Sequence, residues 1–122
     1  MLKRRVAATV YVRDGIAVQS VAFKTFLPLG RPEIAVEYLV DWGADEILLL
    51  DISASRSKRG PDLEMVERVA EKCSVPLPVG GGICSLQAAR DVVRFGADKL
   101  TVNQLVFSNP GLVEEISSSL GA

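Results

Sequence analysis

The sequence predicts an α/β chain in which four strand–helix units build one parallel sheet. Three observations carry that expectation. Short apolar runs of strand length alternate with segments whose apolar residues recur at helical spacing. Glu46–Ile52 is nearly continuously apolar (Ile47, Leu48, Leu49, Leu50, Ile52), as a parallel strand covered on both faces should be. Gly43-Ala44-Asp45-Glu46-Ile47-Leu48 is also echoed by Gly96-Ala97-Asp98-Lys99-Leu100-Thr101, each between a helix and a strand. The chain therefore reads as two βαβα units in tandem. At 122 residues it is expected to form a single domain over 1–122.

The first strand is Val6–Val12. Its even positions, Val6, Ala8, Val10 and Val12, are all apolar, and its odd positions are mixed. One face should meet helices and the other a more polar interior. Asp14-Gly15 marks a turn. Ile16–Phe26, with Lys24 as its one charge, reads either as a short hairpin or as a loop over the strand ends. Arg31-Pro32 opens a helix, since proline suits the first helical position. Ile34, Ala35, Tyr38, Leu39 and Trp42 recur at helical spacing, and core packing is the expectation for Tyr38 and Trp42. Gly43 ends that helix. The second strand, Glu46–Ile52, delivers Asp51 to its C-terminal end. The loop Ser53–Pro61 carries Arg56, Lys58 and Arg59, which are either plainly solvated or placed to recruit an anion. Asp62–Lys72 is the second helix, with Leu63, Val66, Val69 and Ala70 on one face.

The third unit carries the chemistry. Val75-Pro76-Leu77-Pro78-Val79 runs into Gly80-Gly81-Gly82, and Ser85 then caps a helix over Leu86–Phe95. Glycines let backbone N–H groups approach an anion closely, and the unpaired N–H groups of the next helix point the same way. The pattern points to phosphate binding; a tight turn without a ligand is the alternative. Pro78 cannot donate to a ladder, so this strand should lose a bond or start late. Lys99–Val102 is the fourth strand, ending in Asn103-Gln104. Asn109-Pro110 caps a last helix reaching about Leu120.

Composition narrows the function. With 14 basic and 15 acidic residues and a net charge of −1, no attraction to nucleic acid or anionic membrane is expected. No run approaches the roughly 18 apolar residues of a membrane span. Lys3-Arg4-Arg5 before Val6–Val12 imitates a signal peptide, but the apolar part is short, ends in Arg13-Asp14 and lacks a cleavage site. There is no histidine, which removes Ser-His-Asp and Cys-His catalysis and argues against a zinc site. No metal and no cofactor are expected. Cys73 and Cys84 flank the third strand, too far apart for a disulfide at about 3.3 Å per residue. They read as free thiols of a cytoplasmic protein, and Cys84 has no base nearby to make it a nucleophile.

In its residues the chain resembles the N-terminal half of the cyclase subunit of imidazole glycerol phosphate synthase, a (β/α)8-barrel family of histidine biosynthesis. The matching pieces keep order and spacing from end to end: Arg5, Asp14-Gly15, Phe23, Gly43-Ala44-Asp45-Glu46, Leu50-Asp51-Ile52, Val66-Glu67-Arg68-Val69-Ala70-Glu71, Val79-Gly80-Gly81-Gly82-Ile83, Gly96-Ala97-Asp98-Lys99, Asn103 and Asn109-Pro110. The resemblance implies a (β/α)4 half of a TIM barrel. It implies that Gly81, Gly82 and Asn103 bind the phosphate of a small molecule, or inorganic phosphate. Gln104 stands where the family has a small hydroxyl residue, and Gln19 where it has a lysine. Asp51 matches an acidic active-site position, with capping of loop amides as the alternative. Of the two acid/base carboxylates the family uses on opposite strands, the strand-one position is Tyr11 here, a phenol with an ordinary pKa near 10, and strand five is absent. The phosphate half of the site is thus retained and the catalytic half is not. Arg5, Glu46 and Lys99 match a ring of charges that gates ammonia from a glutaminase subunit, and Asp98 matches that partner's interface; surface ion pairs are the alternative. Relatives lacking the strand-one Asp occur in surface-sugar pathways, where they are associated with a sugar amidotransferase.

A (β/α)8 barrel needs about 250 residues. Four strands alone leave both sheet edges unpaired. The expectation is a homodimer, with strand four of each copy pairing with strand one of the other.

Overall fold

Alternation along two strands sets the architecture. Val10 and Val12 in one, and Ile47 and Leu49 in the other, are fully or almost fully buried, while Thr9, Tyr11, Leu48 and Leu50 between them keep part of their surface. One face of the sheet is therefore sealed by helices and the other is partly open. The computed structural model describes residues 4–21, 25–54, 60–102 and 104–121. Its strands are β1 (Ala7–Arg13), β2 (Ile16–Val21), β3 (Thr25–Gly30), β4 (Glu46–Asp51), β5 (Pro78–Gly80) and β6 (Lys99–Thr101). Its helices are α1 (Pro32–Asp41), α2 (Leu63–Lys72), α3 (Leu86–Arg94), α4 (Gln104–Ser108) and α5 (Pro110–Leu120).

The sheet order is β3-β2-β1-β4-β5-β6. The four predicted strands are parallel neighbours, β1 against β4, β4 against β5 and β5 against β6. Of the two readings of Ile16–Phe26 the hairpin is the one found: β2 and β3 pair antiparallel, with β3 running on to Gly30 and adding two strands to the four expected. Asp14 and Gly15 both have positive φ (51° and 80°), the requirement of the tight turn that folds β2 back on β1. Pro28 is tolerated because β3 is the edge strand. The hairpin also corrects the expectation of two bare edges. Among the described residues β2 pairs with β1 at Tyr11–Arg13, so that edge is covered at its C-terminal end.

Pro78 opens β5, so the strand does start late, and it pairs with Lys99. The caps at Ser85 and Asn109 fall where the sequence put them, while Asp62, read as the first residue of its helix, is instead that helix's cap. Asp62 accepts the N–H of Met65 at 3.1 Å, Ser85 that of Ala88 at 3.0 Å and Asn109 that of Leu112 at 3.2 Å. Met65, Val66 and Val69 of α2, Ala89 and Val92 of α3, and Leu112 and Ile116 of α5 join Val10, Val12, Ile47, Leu49, Leu77 and Val79 in one core. Each such aliphatic side chain stabilises the fold by about 1.5–3 kcal/mol when fully buried.

The core expectation for Tyr38 and Trp42 is overturned. They are 55% and 77% exposed and lie ring to ring, centroids 5.8 Å apart. The reason is the helix's orientation: α1 buries Pro32, Glu33 and Val36, which puts Ile34, Tyr38 and Trp42 on the other side.

The echoed segment has a structural reason. Asp45 donates its backbone N–H to Val6 O (2.8 Å) and accepts the N–H of Val6 on its carboxylate (2.7 Å). Asp98 repeats this with Leu77, at 3.0 and 2.7 Å. Each aspartate clamps the start of the preceding parallel strand.

Candidate functional site

The C-terminal ends of β4, β5 and β6 frame a cleft of about 820 Å³ lined by Leu50, Asp51, Gly81, Gly82, Cys84 and Thr101 among others. In α/β folds this end of the strands is where ligands sit.

The three glycines are demanded for three reasons. At Gly80 a Cβ would overlap the Thr101 hydroxyl of the neighbouring strand and come within 2.8 Å of Leu50 Cδ2. Gly81, at φ 107°, lies against the backbone of Asp51. Gly82, at φ 73°, would place a Cβ 2.7 Å from that of Ala54. Only Gly81 and Gly82 therefore bear on the cleft through their backbone conformation. Beyond them Ser85 caps α3, using its hydroxyl on Ala88 N–H and its carbonyl on Ala89 N–H (3.1 Å). The Leu86 and Gln87 amides remain outside the helix's own ladder, as at any helix start.

Asp51 is 6% exposed and shares its β4 face with Ile47 and Leu49. Its Oδ1 accepts from Ser53 N–H (3.0 Å), Ser53 Oγ–H (2.7 Å) and Ala54 N–H (3.2 Å). Ser53 Oγ in turn accepts the N–H of Asp14 at 3.0 Å, which ties the loop to the hairpin turn. These bonds are those of the capping alternative. Sequence reasoning did not single out Ser53 or Thr101. Thr101 Oγ1 is buried with no hydrogen-bond partner among the described residues, at the inner wall of the cleft. The signal for Thr101 was its parity with Lys99, which puts both on the inward face of β6.

Tyr11 sits on the partly open face of β1, beside Leu50 in register. Gln19 is exposed on β2. Asn103 lies outside the described residues, as do Phe23, Lys24 and the loop cations Arg56, Lys58 and Arg59. Gln104 opens α4.

At the opposite end, Glu46 and Lys99 are the first residues of β4 and β6, and Lys99 Nζ meets Glu46 Oε1 at 3.5 Å. Arg5 precedes β1, is exposed and makes no ion pair among the described residues. The structure thus brings two of the three predicted gate charges together. Asp98, predicted for a partner surface, uses its carboxylate on Leu77. Cys73 is half-buried and donates to Val75 O at 3.3 Å; burial pushes its thiol up, and the Asp98 charge adds to the rise. Cys84 is exposed and both cysteines are free. Among the described residues no group of His, Cys, Asp or Glu could hold a metal, and no helix is long and apolar enough to cross a membrane.

Four parallel strands sealed by helices on one face, with a glycine turn at their C-terminal ends, define half of a barrel of the (β/α)8 class. Comparison with known proteins adds the lineage: the chain belongs to the family described as histidine biosynthesis protein, which matches residues 5–122. Over its whole length it is 44% identical to the imidazole glycerol phosphate synthase subunit HisF of Pyrococcus furiosus, covering 49% of that protein. It is 40% identical to the subunit of the same name from Methanocaldococcus jannaschii, again over the whole chain and 45% of the relative. Over 99% of the chain it is 41% identical to that of Exiguobacterium sibiricum, covering 49%. The chain spans about half the length of the curated relatives it matches.

Proposed function

We propose that the chain is a phosphate-binding half barrel related to the imidazole glycerol phosphate synthase cyclase, with little or no cyclase activity of its own. The observation that supports this best is the Gly81-Gly82 turn, which lines the cleft and leads through Ile83 and Cys84 to the Ser85-capped α3. Amides at such a turn offer an anion donors and a favourable helix dipole. The ligand is inorganic phosphate or the phosphate of a small molecule, held by Gly81 and Gly82 with Asn103 and Gln104, which follow β6 in the sequence. Chemistry is weak because Tyr11 replaces a carboxylate, and a phenol is a poor base at pH 7. Two copies of the chain supply the eight strands of a ring.

Titration of 15N-labelled protein with inorganic phosphate tests the site. The expected result is saturable shifts of the Gly81, Gly82, Leu86 and Gln87 amides, absent with chloride at equal ionic strength. No shift at tens of millimolar phosphate would overturn the reading.

A second reading is favoured by the exposed Lys99–Glu46 pair at the other end of the sheet. That end would meet a glutaminase subunit; the relatives are each named as one subunit of a synthase. It would serve ammonia-dependent chemistry with a complementary half or a sugar amidotransferase system. A stable complex that weakens on Lys99→Glu would support it.

A further inference from the structure

Both flanks of the half barrel carry exposed apolar groups, and the internal repeat says how they meet. Glu33 of α1 is turned towards α2, where Arg68 Nε lies 3.8 Å from it. On a helix of 3.6 residues per turn, Ala35, Tyr38 and Trp42 then occupy the flank away from α2. At the other end of the sheet, Ser119 of α5 is turned towards α3, its Oγ 3.0 Å from Arg90 Nη2. Val113 and Leu120 occupy the opposite flank of α5 by the same geometry. Leu120 is exposed despite its size. The aromatic flank of α1 thus exposes Tyr38 and Trp42, and the aliphatic flank of α5 exposes Leu120 beside the half-buried Val113.

The backbone gives the register. Ile47 donates its N–H to Pro76 O at 3.0 Å, the first bond between β4 and β5. The echo places Leu100 where Ile47 stands. The two aspartate clamps place Val6 where Leu77 stands, and so Arg5 where Pro76 stands. Parity agrees. Ile52 N–H goes to Val12 on one side of β4 and Ile47 N–H to Pro76 on the other, so Leu100 N–H is aimed at the open edge of β6. Val6 uses both backbone groups on Asp45, so Arg5 O is aimed at the open edge of β1. The β2 pairing begins only at Tyr11 and leaves this stretch of β1 free among the described residues.

We infer that the docking surface formed by the open edge of β6 and the Val113–Leu120 flank of α5 takes the β1 edge and the Tyr38–Trp42 flank of a second copy, in the register that the β4–β5 pair already displays. Leu100 N–H donates to the second copy's Arg5 O, and Val102 stands opposite the second copy's Ala8, as Leu49 stands opposite Val79. The operation is two-fold, so both seams form at once. This rests on the two-copy reading above and adds its contact surface and register.

The test is a cysteine pair in the full chain with Cys73→Ala and Cys84→Ser. Ala8→Cys with Val102→Cys should oxidise to a covalent dimer, and Val10→Cys with Val102→Cys should not. An intrachain bond is ruled out because β1 and β6 are three strand spacings of about 4.8 Å apart. Separately, Trp42→Glu, at an exposed position, should weaken self-association measured by sedimentation by at least about tenfold without loss of helical signal. Equal linking by the Val10→Cys, Val102→Cys pair, or a dimer indifferent to Trp42→Glu, overturns this seam and leaves the two-copy reading standing. A wild-type chain that sediments as a monomer at tens of micromolar overturns both.

Discussion

Asp45 and Asp98 show how a repeated Gly-Ala-Asp tripeptide becomes structure. Each carboxylate takes the N–H of the residue just before a parallel strand, while the aspartate's own N–H binds that residue's carbonyl. Removing the carboxylate strands a backbone donor, and a hydrogen bond to a charged group contributes about 1.5–3 kcal/mol. Asp98→Ala should therefore lower stability in urea by about 1–2 kcal/mol, the lower range reflecting partial exposure. Asp45→Ala should cost about as much, and the double variant the sum, because the two clamps share no partner. A glutaminase-surface role for Asp98 alone predicts no change in stability. Tyr11 poses the opposite question, since it fills a place where the resembling family has a carboxylate. In a two-copy ring one substitution restores both carboxylates. Tyr11→Asp should raise ammonia-dependent turnover of the family substrate by at least about 100-fold over the wild type, the lower bound for a placed acid or base. Unchanged turnover would show that position 11 is not what limits the chemistry.

At the scale of elements, what the sequence disclosed depended on how local the cause was. Caps at Ser85 and Asn109 were legible because the residue that caps is the residue that is read. The late start of β5 was legible because Pro78 has no N–H to give. The hairpin β2–β3 stayed ambiguous, because alternation over Ile16–Val21 is weak and its pairing partner, Thr25–Gly30, contains Pro28. The orientation of α1 was misread for a reason outside the helix. Ile34, Tyr38 and Trp42 make as good a stripe as Pro32, Val36 and Val40, and which one faces the sheet depends on how the chain leaves β3. The site divides the same way. The glycine turn was legible, whereas the demand for Gly80 comes from Thr101 on the next strand and the setting of Asp51 from Ser53 and, through it, the hairpin turn. Both are contacts between segments far apart in sequence.

On the scale of the molecule, the sheet is finished on one face and one part of an edge only. Helices bury Val10, Val12, Ile47, Leu49 and Val79, while Thr9, Leu48, Leu50 and Thr101 on the other face keep part of their surface, with Leu105 and Ser108 of α4 at the rim of the cleft. A closed barrel would make that second face an interior, and its layers would come from alternate strands of both copies. Assembly would then supply much of the stability, and folding would become a concentration-dependent equilibrium. For a dimer that dissociates as it unfolds, each tenfold rise in protein concentration adds about 1.4 kcal/mol. At this combined size that corresponds to a Tm increase of roughly 3–5 °C per tenfold. Calorimetry over two decades of concentration should show the slope in the wild type. In Trp42→Glu the midpoint should fall, most of all in dilute samples, where dissociation precedes unfolding. A wild-type Tm independent of concentration would mean that the open face is stable in water, and the half barrel would then be the whole folding unit.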